Sequence, residues 1–327
     1  MQNPIDFIKD VFKEKAIVFL AEDHAIKDNL LFVKSLIPYL YEIGVDFLGM
    51  EFGASEDQDI LDSLVTGKNY NKALARELMF HYNVIFPYKE YTDLYRAVFD
   101  FNKTLASSQR PFRILNLSYV YDWSEFTLPE TEEKRRKVFY KGNTETYRFE
   151  LLKEEVIKTN KKILILTGTV HALTKYRYKN RKNNYFGQYV YDYCPDKTYS
   201  IHLHEYFDSK EMTNISPCNG EVERVCLQNG SACAFDLNSN KLGDLEVNGL
   251  YSNGYEKLLL KDVFDGYIYL KKLDDRVGCT VDYEFLNDHN LLDILKQFPD
   301  PNWHVPPQNM EEYWEFVKDY VDLSKRN

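Results

Sequence analysis

The chain has 327 residues, 44 % of them hydrophobic, and a formal net charge of −10. That length supports a substantial core, and the acidic balance argues against wrapping nucleic acid or anionic lipid. No apolar run is long enough to span a bilayer and no charged-then-apolar leader opens the chain, so a cytoplasmic protein acting on a small-molecule or peptide substrate is expected, with no nucleic acid and no membrane as partner.

Residues 2–15 pattern as an amphipathic helix with Ile5, Ile8 and Phe12 on one face. Ala16 to Leu20 is an apolar run read as a strand, halted at Ala21-Glu22-Asp23-His24. Leu30, Leu31, Val33, Leu36, Ile37 and Leu40 give a helix from about Asp28 to Glu42, which Pro38 should kink or shorten and Gly44 should end. Val45 to Met50 is a second strand running into Glu51-Phe52-Gly53, and helical patterns divided by Pro87 fill 54–105. A third strand, Arg113 to Leu117, leads into a polar and aromatic segment at 118–142 and a helix at 145–159. Four apolar residues, Ile163 to Leu166, then form a buried strand ending at Thr167.

Thr198 to Leu203 is a fifth strand, and Asp265 to Leu270 a sixth. Between them, Val222 to Leu227 and Ala232 to Leu237 flank Asn229-Gly230 and read as a hairpin. Two tail helices, Leu291 to Phe298 and Glu311 to Leu323, are joined by a linker holding Pro299, Pro301, Pro306 and Pro307. The pattern predicts an α/β fold: a mainly parallel central sheet with helices on both faces, a helical excursion near 118–160 and a small hairpin insert near 220–240. Residues 1–284 are expected to form one domain, with 285–327 a helical extension packed on it. Five cysteines lack any Cys-x-x-Cys pair, and Cys218, Cys226 and Cys233 read as small buried hydrophobes.

Three strand ends carry reactive side chains: Glu22, Asp23 and His24 after the first, Glu51 after the second, His171 after the fourth. Parallel strands present such ends along one edge, where α/β sheets place ligands. Two imidazoles with two or three carboxylates serve either of two purposes. They can bind a divalent ion such as zinc or manganese, with Glu22, His24, Glu51 and His171 as ligands, or orient a histidine that takes a proton from water. Helix capping is the ordinary competing duty for a carboxylate after a strand, and a bond to a neighbouring carbonyl for a histidine. Asn116 and Tyr119 follow the third strand closely, and Lys175, Arg177 and Arg181 follow His171; with Asp23 they are candidate substrate contacts. His202 and His204 share a face of the fifth strand, either as two metal ligands or as a surface pair. His81 and Arg76 are expected in core or surface roles. A phosphate loop, a dinucleotide glycine fingerprint and a Gly-x-Ser-x-Gly elbow are all missing from the sequence.

The segments FLAEDHA (19–25), FLGMEFG (47–53), RILNLS (113–118), LILTGTVHA (164–172) and FDGYIYL (264–270) occur in an order that resembles the erythromycin esterase-like and ChaN-like haem-uptake superfamily, which includes TraB and Tiki proteins. The resemblance spans roughly residues 15–272. It matches Glu22 and His24 to the first motif, Glu51 to the second and His171 to the third, with Ala21 standing where a glycine is usual. It implies ester hydrolysis, metal-dependent peptide cleavage or tyrosine-ligated haem binding, since these chemistries share one fold. The reading carried forward is a hydrolase of an ester, lactone or amide bond, with water activated at the Glu/His site and a metal as a possible aid. A protein binding haem or a hydrophobic small molecule is the alternative, and a non-catalytic scaffold the third.

Overall fold

The computed structural model describes residues 1–325 except 125, 231, 301 and 303, so Pro301 of the expected linker lies outside the described residues. Its strands are β1 (Ile17–Glu22), β2 (Phe47–Ala54), β3 (Arg113–Ser118), β4 (Ile163–Gly168), β5 (Thr198–Leu203), a short pair β6 (Phe207–Asp208) and β7 (Asn214–Ile215), then β8 (Cys233–Asp236) and β9 (Gly266–Tyr269). Seven of them form one sheet in the order β3-β2-β4-β1-β5-β9-β8. All its pairs are parallel except β8 with β9.

Burial on both faces explains why the central strands show unbroken apolar runs. From β1, Val18 and Leu20 enter one core, while Ile17, Phe19 and Ala21 enter the other. Helices Lys27–Glu42, Gln58–Thr66, Lys72–Tyr82 and Lys89–Asn102 cover the first face. Helices Thr144–Leu152, Phe186–Tyr193 and Glu221–Gln228 cover the second. Helix Lys27–Glu42 continues past Pro38 and is not shortened there. Pro38 and Lys34, whose carbonyl it leaves without a helical partner, both lie on the exposed side, where solvent can take that carbonyl. Gly44, at φ +81°, ends the turn as expected.

The hairpin placed at 220–240 is corrected. Val222 and Cys226 are buried four residues apart, a helical spacing, and Glu221–Gln228 is a helix. The second half, β8, pairs with β9 at the sheet edge, and the small antiparallel hairpin is β6–β7. Cys218, Cys226 and Cys233 are buried free thiols. In the tail, helices Leu291–Gln297 and Met310–Val321 send Ile294, Tyr313 and Val317 into the first core. Tyr313 donates to the Val84 carbonyl at 2.7 Å, and Tyr88 to that of Val317 at 3.0 Å. No helix among the described residues is long and apolar enough to cross a membrane.

Candidate functional site

Strands β2, β4 and β1 are adjacent and parallel, so their carboxyl ends meet. Pairing of β2 with β4 stops at Met50 opposite Leu166. One residue further, the Glu51 side chain spans the gap: Oε2 accepts the Thr167 hydroxyl at 2.7 Å and the Gly168 N–H at 2.8 Å. Its Oε1 lies 3.0 Å from Arg148 Nη2 and 3.3 Å from His171 Nε2. Burial opposes ionisation of Glu51, but the charges of His171, Arg148 and His24, with the Gly168 N–H, hold its carboxyl well below the usual range.

His24 directs Nδ1 to Glu22 Oε1 at 3.2 Å and Nε2 toward Glu51 Oε2 at 4.0 Å. Glu22 is 2 % exposed, and its Oε1 also accepts the Tyr91 hydroxyl at 3.2 Å. Burial pushes the Glu22 carboxyl up. Burial pulls His24 down, yet the bond from Glu22 and the charges of Glu51, Glu22 and Asp23 outweigh it, so the imidazole is raised. Gly168 keeps this geometry possible, because a Cβ there would lie 2.7 Å from His24 Nε2.

The structure thus brings Glu22, His24, Glu51 and His171 into one cluster, and it adds residues the sequence reading did not name. Glu145 meets His171 Nδ1 at 2.8 Å, and its Oε2 accepts the Phe186 N–H at 2.7 Å. Arg148, 3 % exposed, also donates to Ser118 Oγ from Nε at 3.1 Å and from Nη2 at 3.0 Å. Both sit on one face of helix Thr144–Leu152, where the pattern TETYRFELL gives no hint that charges point inward. Glu205 follows β5 by two residues and lines the same cleft. The strand-end rule that marks Glu22 and His171 marks this position too.

Several candidates have other work. Asp23 is on the cleft wall, 3.6 Å from Arg276 Nη1. Asn116 does not reach the cleft: its Nδ2 donates to the Ala54 carbonyl at 2.8 Å, against a Gly53 whose Cβ would clash with it. Tyr119 ties down the Gly142 carbonyl at 2.5 Å. Lys175 pairs with Asp265 at 2.7 Å and Arg177 with Asp192 at 2.6 Å, and neither is among the residues lining the cleft. His202 and His204 are buried, not a surface pair. His204 meets the Tyr267 hydroxyl at 2.7 Å and Glu223 at 3.2 Å, whereas His202 stacks on Phe264 with ring centroids 4.3 Å apart. Arg76 forks onto Asp282 at 2.8 and 2.9 Å, and His81 pairs with Asp57 at 2.6 Å.

The cleft above the cluster measures about 320 Å³ and is lined by Glu22, Asp23, His24, Thr169, His171 and Glu205 among others. It adjoins a second cavity of about 400 Å³ through Asp23, Tyr206 and Asn214, which line both. Neither a divalent metal nor haem fits these residues. Among the described residues no group of three or more His, Cys, Asp or Glu is arranged to hold a metal ion. Glu51 has both oxygens engaged, and the Arg148 cation sits where a metal would compete with it. Tyr206, the tyrosine on the cleft wall, gives its hydroxyl to Asp274 at 2.8 Å. A wall of Glu22, Asp23, Glu205 and Asp208 offers little to a flat apolar ring system.

Fold and cluster together define an open α/β-sheet protein with a buried Glu–His–Arg network at a strand-end cleft. No protein-family model matches the chain, and no curated protein sequence does. Solved structures do resemble it. A Bacillus cereus protein matches with a TM-score of 0.56 at 13 % identity, covering 86 % of this chain and 94 % of the other. A succinoglycan biosynthesis protein matches at 0.59 and 13 %, covering 85 % and 92 %. A mutant of the erythromycin esterase EreC, in its open conformation, matches at 0.56 and 11 %, covering 85 % and 94 %. The chain therefore shares, at a distance, the fold of these three structures.

Proposed function

We propose that the protein is a hydrolase of ester, lactone or amide bonds that activates water without a metal. The observation that carries the reading is the His24 geometry. Nδ1 bonds Glu22 Oε1 at 3.2 Å, which fixes its hydrogen there and leaves Nε2 to act as base. Glu51 Oε2 lies 4.0 Å from Nε2, longer than a hydrogen bond and short enough for one water to bridge. That water attacks a carbonyl carbon held in the cleft, and its proton passes to His24. His171, held between Glu145 at Nδ1 and Glu51 at Nε2, lines the cleft beside the reacting water. The fold shared with an erythromycin esterase supports the choice of an acyl substrate.

The test is a panel of esters and lactones assayed with the wild type and His24→Asn. Turnover is expected for the wild type, with a loss of about 10²–10⁴-fold in the variant at unchanged melting temperature. Equal rates in the two proteins would overturn the assignment.

A further inference from the structure

Hydrolysis by this cluster also needs a group that gives a proton to the departing atom. Glu51 is held ionised by its cationic neighbours, and His24 is committed to the attacking water. His171 directs Nδ1 to Glu145 at 2.8 Å and Nε2 to Glu51 at 3.3 Å, so both of its ring nitrogens already face carboxylates. Resting on the hydrolytic reading above, we propose that Glu205 is a further catalytic residue, the carboxylic acid that protonates the leaving group.

Four observations support it. Strand β5 lies beside β1, so Glu205 reaches the edge that presents Glu22, and it lines the cleft with His24, Thr169 and His171. Its side chain is only 7 % exposed. Its Oε1 accepts the Thr169 hydroxyl, whose oxygen is also 3.3 Å from the Glu22 carbonyl, while Oε2 has no hydrogen-bond partner. Among the surrounding charges Arg276 favours a carboxylate here, and the acidic neighbours oppose it. Asp23 and Glu22 repel a carboxylate here, Arg276 lies against Asp23, and the nearest His202 nitrogen is 3.9 Å away. Burial first, then the charge of Asp23, pushes the Glu205 carboxyl well above its usual range, against the Thr169 bond and Arg276. An unpaired buried carboxylate is costly, whereas the neutral acid carries one O–H donor, on a side chain that lines the cleft while its unpartnered oxygen is itself buried.

The step balances. Water oxygen bonds to the carbonyl carbon as its proton moves to His24 Nε2. On collapse, the bond from that carbon to the leaving oxygen or nitrogen breaks, its electron pair stays on the leaving atom, and the Glu205 proton joins it. The proton on His24 then passes through solvent to restore neutral Glu205.

Two esters of one acyl group test this, a 4-nitrophenyl ester, which departs without an acid, and an alkyl ester, which needs one. Glu205→Gln keeps the acceptor for Thr169 and is expected to fold, as a thermal melt will show. Its rate should stay within about threefold on the nitrophenyl ester and fall about 10²-fold or more on the alkyl ester. Equal losses on both, or none on either, would overturn the proposal and leave Glu205 a structural acid. Should the variant not fold, the wild type decides: kcat/KM nearly independent of leaving-group basicity supports an acid, and a steep dependence overturns it. A wild type inert to a whole ester panel would instead overturn the hydrolytic reading, a result seen before any variant is made.

Discussion

Replacing Arg148 with methionine keeps most of the apolar stem and removes the charge at the centre of the network. Lost are the two bonds to Ser118 Oγ at 3.1 and 3.0 Å and the bond to Glu51 Oε1 at 3.0 Å. Glu51, itself 7 % exposed, then holds a buried charge without its guanidinium. Breaking a buried pair from one side costs about 3–5 kcal/mol. With a urea m-value of about 3 kcal/mol/M, the unfolding midpoint should fall by about 1–1.7 M. Glu51→Gln removes the stranded charge, so the double variant should be less damaged than the sum of the singles by about 1–3 kcal/mol. The pH dependence has a defined sign. Glu51 titrates lower in the folded state, so its stabilising share is full above the unfolded carboxyl value of 4.5 and is lost as pH falls through the depressed folded value. The gap between wild type and Arg148→Met should therefore close in acid. A loss below about 1 kcal/mol at neutral pH, typical of an exposed ion pair, would refute the reasoning.

Two further outcomes are expected. His24 acts as a base only when neutral and is raised above its ordinary 6.5, so kcat/KM should climb through a pH above that value; Glu22→Gln removes the largest raising contact and should shift this limb to lower pH, and a limb that stays put would sever Glu22 from His24 in the mechanism. Gly168→Ala would set a methyl 2.7 Å from His24 Nε2 and 2.9 Å from its Cε1, forcing the ring off Glu22; turnover should drop on the order of 10²-fold, and an unchanged kcat would show that the ring position is not critical.

The buried strands announced themselves through their apolar runs, and the parallel order made convergence of Glu22, His24, Glu51 and His171 foreseeable from strand ends alone. What did not show is everything that depends on the direction of a helix face. Glu145 and Arg148 lie three residues apart in a helix whose polar and apolar residues are not cleanly segregated, and a charged residue there looks solvated until the sheet is placed beside it. The same ambiguity misplaced Val222 to Leu227, where a short apolar run beside Asn-Gly satisfied the hairpin pattern while its buried residues kept a helical spacing. The pairing of Lys175 and Arg177 was hidden for a different reason. Proximity in sequence to His171 says nothing about which carboxylate captures a long cation, and Asp265 and Asp192 do so.

Where β2 and β4 stop pairing, the Glu51 carboxylate occupies the place of the next rung. It is a stitch at the point where the sheet begins to open. Shortening or neutralising it loosens the seam as well as altering the chemistry, so inactivity in a Glu51 variant reports architecture first, and the assignment of roles falls to substitutions at His24 and Glu205.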